Sequence, residues 1–341
     1  MKKVLKISLI TFLIISFSVG LFFGGFVIYN LTVSKVSFSA EKIAENTLSI
    51  QVYNVNNVLI KEENTISDKK IKLSSLPSYV KEAFISIEDK DFYKHNGVNY
   101  KRMVKAMLTN IKNMKLKEGA STISQQLIKN THLSSQKTFS RKINEIFLAL
   151  ELEKKCTKEE ILEFYLNIIY FGDNTYGIES ATEHYFSKPA SKLTLNEACT
   201  LAGLIKSPSY YSPVSNPERC LKRRNLVLSE MLKDNKINSQ TYNENINKPL
   251  SLTLNYENTN KINSYSENAI LEASKILKLP AKQLALAGYK IYTFQNPTKQ
   301  EALNSTFENL KPENDCALIS LNSKTGVVEA FAGNSAYRIL E

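Results

Sequence analysis

Apolar and polar positions change their period repeatedly along the 341-residue chain. After Lys2, Lys3 and Lys6, the segment Ile7 to Ser34 carries no formal charge. Its apolar part has the length, about 20 residues, that crosses the hydrocarbon of a bilayer. This predicts a cytoplasmic tail at 1–6 and one transmembrane helix over 7–30. Residues 31–64 read as a stalk in which LSIQVYNVNNVLI, residues 48–60, alternates around Asn56 and Asn57 and predicts a short hairpin.

From about Pro77 to Asp234 the pattern becomes helical. TKEEILEFYLNII opens with Thr157 and sets Glu160 three residues later, so that each side chain can bond the other's backbone N–H and start a helix. TLNEACTLAGLI repeats the device with Thr194 and Glu197. In FSRKINEIFLALELEKK, Ile143, Phe147 and Leu150 share one stripe, while Arg141 and Glu145 share another face. Beyond about residue 245, SLTLNY, YKIYTF, CALISLN and GVVEAFAG have strand-like composition between Pro, Asn and Gly breaks. The expected fold is mainly α: a helical domain over 65–240, then a small mixed α/β segment over 241–341.

Charge narrows the partners. The 44 Lys and Arg outnumber the 33 Asp and Glu, giving a net charge of +11 and favouring an anionic partner. Positive residues ahead of the apolar run place the N-terminus in the cytoplasm and the globular part outside, as a single-pass protein of the cell membrane. A cleaved signal peptide with Ser37 and Ser39 near the cut is the competing reading, but the apolar run exceeds the usual core of roughly 7–15 residues. An external location excludes nucleic acid and leaves membrane lipids or an anionic lipid substrate. YKRMVKAMLTNIKNMKLK, residues 100–117, fits that setting: it holds six Lys and Arg and no acid, with Met103, Met107, Ile111 and Met114 at helical spacing.

The four cysteines, Cys156, Cys199, Cys220 and Cys316, lack His companions at zinc spacing and read as free thiols. A Cys199–Cys220 disulfide stays open as an alternative.

The chemistry sits in the helical part. A lone Glu88–Asp89 pair is ordinary solvated charge. Here Glu88, Asp89, Phe92, His95 and Gly97 are followed in order by GASTISQQLIKN, RKINE, KEEILEFYLN and AGLIKSPSYYSP. This ordered set resembles the family 51 glycosyltransferases, the peptidoglycan polymerases that stand alone or form the front of class A penicillin-binding proteins. The resemblance covers about residues 65 to 235.

It implies a lysozyme-like, mostly helical domain that polymerises lipid II by inverting transfer, with release of undecaprenyl pyrophosphate. A sugar hydroxyl is a poor nucleophile at neutral pH, so a carboxylate must take its proton, and Glu88 matches the family's general base. Charge gathers on the departing diphosphate, and Lys129, Arg141, Lys142 and Lys137 match the cations aimed at it. Glu145 matches a second carboxylate that orients these cations or holds a divalent ion, Mg2+ or Mn2+; no organic cofactor is expected.

Ser121, Thr122, Gln125 and Gln126 read as the hydrogen-bonding wall of the cleft, with Asp89 among the substrate-binding residues. Gly119 is expected to allow close backbone approach, Leu127 and Ile128 to anchor the wall, and Ser121 to cap the helix. His95 is expected to support the turn that carries Glu88, and Asn167, Tyr170 and Gly177 to serve packing and cleft shape.

Lipid II, the growing glycan strand, membrane lipids and cell-wall assembly proteins are the expected partners. A lysozyme-type glycan hydrolase and a non-catalytic assembly scaffold are the alternatives, and the cations argue against hydrolysis, whose leaving group needs a proton instead. SSQK at 134–137 spells a transpeptidase motif by accident. ALISLNSKTGVVEAFAGN reads as the opening hairpin of a truncated transpeptidase-like domain, with Lys324 to Gly326 in its turn, so neither transpeptidase activity nor covalent penicillin binding is expected.

Overall fold

The computed structural model describes residues 24–25, 49–64, 70–113, 119–133, 138–173, 175–255, 264–277, 279, 281–286, 288–310 and 316–333. Apart from residues 24 and 25, the expected transmembrane helix lies outside these, as do Lys137 and the SSQK run. Among the described residues no helix is long and apolar enough to cross a membrane.

A helical body holds the larger core. Its helices are α1 (Ser78–Glu88), α2 (Tyr100–Asn113), α3 (Ile123–Thr131), α4 (Phe139–Lys155), α5 (Lys158–Ile168), α6 (Ile178–Phe186), α7 (Leu195–Leu204), α8 (Pro217–Lys233) and α9 (Ser239–Ile246). Local chemistry sets several starts. The Thr157 N–H donates to Glu160 Oε2 at 2.8 Å, and the Glu160 N–H donates back to Thr157 Oγ1 at 3.2 Å. The Thr194 N–H donates to Glu197 Oε2 at 2.8 Å.

Helix α7 is the pivot. Ala198, Cys199, Leu201, Ala202 and Leu204 are all buried, as a helix apolar on every side must be, and it packs against α1 and α8. Phe84, Tyr165, Phe171 and Tyr185 fill the same core. All four cysteines are free. Burial pushes the Cys220 thiol up to about 12, with Arg224 pulling the other way, and raises Cys199 likewise.

On α4 the buried face differs from the expected stripe. Glu145, Leu148, Ala149 and Leu152 turn inward at i, i+3, i+4 and i+7, while Phe147 is exposed. The inner face carries a carboxylate because two cations and an amide satisfy it, as described below.

The expected boundary at 240/241 also moves. Leu250, Leu252 and Leu254 pack on the helical core, and SLTLN, read as a strand, is an extended segment held by Thr253 N–H to Tyr185 O and Asn255 N–H to His184 O, both 2.9 Å.

Between α5 and α6 a short antiparallel pair, β3 (Tyr170–Gly172) with β4 (Thr175–Tyr176), completes the helical body. The rest is mixed α/β: α10 (Ser264–Leu277), α11 (Ala281–Leu286), β5 (Lys290–Tyr292), α12 (Pro297–Leu310), β6 (Ala317–Leu321) and β7 (Val328–Gly333). The hairpin placed with the stalk belongs here too. Strands β1 (Ser49–Tyr53) and β2 (Leu59–Asn64) pair antiparallel, and β1 also pairs parallel with β5, Val52 opposite Ile291. Ile50 and Val52 share a small core with Ile270, Leu284 and Ala285. Strands β6 and β7 form a separate hairpin, pinned to α12 by Gln300, whose amide bonds both the N–H and the C=O of Phe331. Its other face leaves Ile319 and Leu321 exposed.

Candidate active site

Helix α1 ends at Glu88, and the turn after it is fixed from inside. Asp89 is fully buried, 2.9 Å from His95 Nε2 through Oδ2, and it accepts the Ile123 N–H at 3.1 Å. A carboxylate can only accept, so Nε2 carries the proton. Asp89 thus ties the end of α1 to the start of α3, and its oxygens are spent on that tie instead of lining the cleft as expected. His95 has the expected supporting place.

The turn closes at Gly97, where φ is +84° and a Cβ would stand 2.7 Å from the Ala149 carbonyl oxygen. Gly119, expected to permit close approach, has open space where its Cβ would be. The tight contact is at Gly97, whose carbonyl accepts from Thr122 Oγ1 at 2.5 Å.

Helix α3 is capped by Thr122, not Ser121. Thr122 has extended backbone, its hydroxyl accepts the Gln125 N–H at 3.2 Å, and Gln125 Oε1 accepts the Thr122 N–H at 3.1 Å. Thr122 and Gln125 are consequently buried behind the wall they were expected to form. Leu127 and Ile128 are buried beneath it. Ser124 donates to Glu153, which also accepts from Lys158 Nζ at 2.7 Å, and that ammonium lies 4.4 Å from the centre of the Phe92 ring.

Ser121, just ahead of the cap, and Gln126 on α3 remain half-buried. Gln126 Nε2 donates to Glu88 Oε2 at 2.7 Å, and Gln126 Oε1 accepts from Tyr165 Oη at 3.2 Å. Arg102, from α2, donates to the Glu88 backbone carbonyl at 2.6 Å. Glu88 is therefore half-buried, with a carboxylate that no Lys or Arg pairs among the described residues.

One turn beyond Gln126 stands Lys129. Burial lowers its proton affinity, although its side chain still meets solvent. Glu145 raises it, Arg141 and Lys142 lower it, and Glu88 raises it, in decreasing order. The ammonium thus lies within the fields of both carboxylates.

Glu145, almost wholly buried, accepts from Arg141 Nη1 at 3.0 Å, from Lys142 Nζ and from Gln125 Nε2 at 3.3 Å. Lys142 also donates to Ser121 Oγ at 3.0 Å. Among the described residues the buried Arg141 Nε has no hydrogen-bond partner, and the Lys129 ammonium forms no ion pair within 4 Å. The site is a half-buried carboxylate held by Gln126 and a set of cations braced by Glu145, with Lys129 in the field of both carboxylates.

A resident divalent ion does not fit this donor set. Glu145 already accepts from two cations and an amide, and among the described residues no three His, Cys, Asp or Glu side chains cluster as metal ligands.

Asn167, expected to serve packing, and residues not singled out from the sequence complete the frame. Glu163 accepts the Leu73 N–H at 2.8 Å, and Asn167 bonds both the N–H and the C=O of Ile71 at 2.9 Å, so α5 holds the chain entering α1. Glu163 and Tyr165 stand in the KEEILEFYLN motif, which was the available signal. Arg102 was read only as part of the basic run over 100–117, and Glu153 carried no signal.

Beside the site, α2 shows an apolar stripe of Tyr100, Val104, Met107 and Leu108, the last two more than 60% exposed. This is not the expected Met103–Met107–Ile111–Met114 line. Met103 is half-buried with Ala106 against the body, and Met114 lies outside the described residues.

Residues 56–232 match the family model described as transglycosylase. Penicillin-binding protein 1A/1B of Bacillus subtilis is 36% identical over 84% of this chain and 32% of its own length. Penicillin-binding protein 1A of Pseudomonas aeruginosa is 34% identical over 83% of this chain and 34% of its own. The chain thus spans about a third of the length of these curated relatives. The crystal structure of penicillin-binding protein 1A from Haemophilus influenzae aligns with a TM-score of 0.38 and 23% identity over 75% of this chain and 28% of that one.

Proposed function

The chain belongs to the transglycosylase family, the family 51 glycosyltransferases, and we propose on that premise that it polymerises lipid II into β-1,4-linked glycan at an external membrane surface. The observation that carries the reading is the half-buried Glu88, held by Gln126, within electrostatic reach of Lys129, whose ammonium also lies in the fields of Glu145, Arg141 and Lys142.

In the proposed reaction the 4-hydroxyl of one sugar attacks the anomeric carbon of another, whose bond to the diphosphate oxygen breaks from the opposite side, inverting that centre. The hydroxyl proton passes to Glu88, and the bonding pair leaves on the diphosphate. Gln126 holds the receiving carboxylate. Lys129, which has no hydrogen-bond partner to release among the described residues, takes up the growing charge, and Arg141 and Lys142 add to the positive field around it. Glu145 acts as a positioning residue: by bonding Arg141 and Lys142 on one side it keeps like charges together where an anion is to arrive. A divalent ion would arrive only with the diphosphate it accompanies.

The α2 stripe, flanked by Lys101 and Lys105, suits the headgroup layer. That placement would present the site to a lipid-borne substrate, consistent with a membrane anchor over 7–30.

Offering the detergent-solubilised chain both labelled lipid II and preformed glycan tests the reading. Polymer from lipid II supports it. Cleavage of glycan alone would make the chain a hydrolase, and inertness toward both would leave a scaffold.

A further inference from the structure

A half-exposed glutamate at the last residue of a helix has three side-chain torsions to lose before it can act as a base. In this chain the means of fixing it are few. Among the described residues the Glu88 carboxylate has one hydrogen-bond donor, the Gln126 amide at 2.7 Å. Gln126 is itself a long, half-exposed side chain. Its other end meets Tyr165, whose ring is fully buried in the core and whose hydroxyl lies 3.2 Å from Oε1. The three side chains form a line that runs from rigid to mobile: a buried ring, an amide, a carboxylate.

The amide can sit between them in only one sense. A carboxylate accepts and cannot donate, so it requires Nε2; turned over, the amide would set Oε1 against Glu88 Oε2 with no hydrogen between them. The phenol supplies the proton that Oε1 needs. It stays protonated, because burial first, and then the charges of Glu88 and Asp89, raise its proton affinity well above the usual range. A hydroxyl at this place is therefore a permanent donor.

We propose that Tyr165 is a positioning residue for the reaction, holding the Glu88 carboxylate in one orientation through the Gln126 amide. This rests on the reading of Glu88 as the base. Tyr165 touches no reacting atom. Its effect is on how often the carboxylate points at the incoming hydroxyl, and so on kcat more than on KM.

Tyr165→Phe keeps the buried ring and removes only the donor, and half-exposed Gln126 can turn to water for its lost bond. With the full chain in detergent and fluorescent lipid II, Tyr165→Phe should lower kcat about five- to tenfold, with KM within about twofold and folding unchanged. In a Gln126→Met background the same change should cost nothing further, since the relay is already broken. Losses that multiply in the double variant, or a Tyr165→Phe enzyme with wild-type kcat, would overturn the proposal.

A second measurement does not depend on turnover. Hydrogen exchange of the Gln126 side-chain amide, followed by NMR on selectively labelled protein, should accelerate in Tyr165→Phe, and an unchanged rate would also overturn it. The underlying reading fails separately, through a Glu88→Gln enzyme that still polymerises.

Discussion

His95 Nε2 stands 2.9 Å from Asp89 Oδ2 inside the turn that carries Glu88, both side chains closed off from solvent. The same carboxylate accepts the first N–H of α3. Replacing Asp89 with Ala would strand a buried imidazole and a buried backbone donor together. The expected cost is about 2–4 kcal/mol of stability, read by urea unfolding of the purified chain. A loss within experimental scatter of zero would mean the tie is not what holds the turn.

Two glycines in neighbouring segments should behave oppositely. Gly97→Ala puts a side chain into left-handed backbone and against the Ala149 carbonyl, so a destabilisation of about 2 kcal/mol or more is expected. Gly119→Ala meets open space and should stay within about 0.5 kcal/mol of the parent. Paired thermal melts decide it, and equal shifts would contradict the geometry.

Lys129 opposes function to stability. Its folded-state proton affinity is lowered, chiefly by burial, from an ordinary value of 10.5. The unfolded chain therefore holds more protons in the window between the lowered value and 10.5, and stability rises with pH across it. Below the window the charge is a liability. Lys129→Met should raise Tm at pH near neutrality, lose that advantage as pH climbs through the window, and abolish polymerisation. A Tm lower than the parent at neutral pH would show the ammonium to be stabilising instead.

Several of these contacts were within reach of sequence reasoning and several were not, for physical reasons. The starts of α5 and α7 were legible because Thr157 with Glu160, and Thr194 with Glu197, satisfy N–H groups within three residues. The β1–β2 hairpin was legible from its alternation around Asn57, which turns in left-handed backbone. Ser121 and Thr122 offer the same hydroxyl, and only backbone geometry tells which one caps. Asp89 and Gln125 read as ligands because a buried carboxylate or amide has the same letter as an exposed one, and their partners come from other helices. The parallel pairing of β1 with β5 joins segments more than 230 residues apart, where local pattern carries nothing. On α2 the apolar residues cover more than one face, so period alone did not show which side the body covers.

The exposed stripe of α2 gives a separate test. In anionic bilayers, amide hydrogen exchange over residues 100–113 should slow at least about tenfold relative to detergent-free solution conditions with neutral vesicles. In the Met107→Ser, Leu108→Ser variant the slowing should largely vanish while Tm is retained. Equal protection in parent and variant would remove the membrane from the account of this helix.

The most direct test of the central claim is polymerisation of labelled lipid II by the parent chain and by Glu88→Gln, with lipid II affinity measured on both. The variant keeps the shape and loses the proton acceptor, so the account predicts glycan formation reduced at least about 100-fold with binding within a few-fold of the parent. Polymerisation by Glu88→Gln at the parent's rate would contradict it.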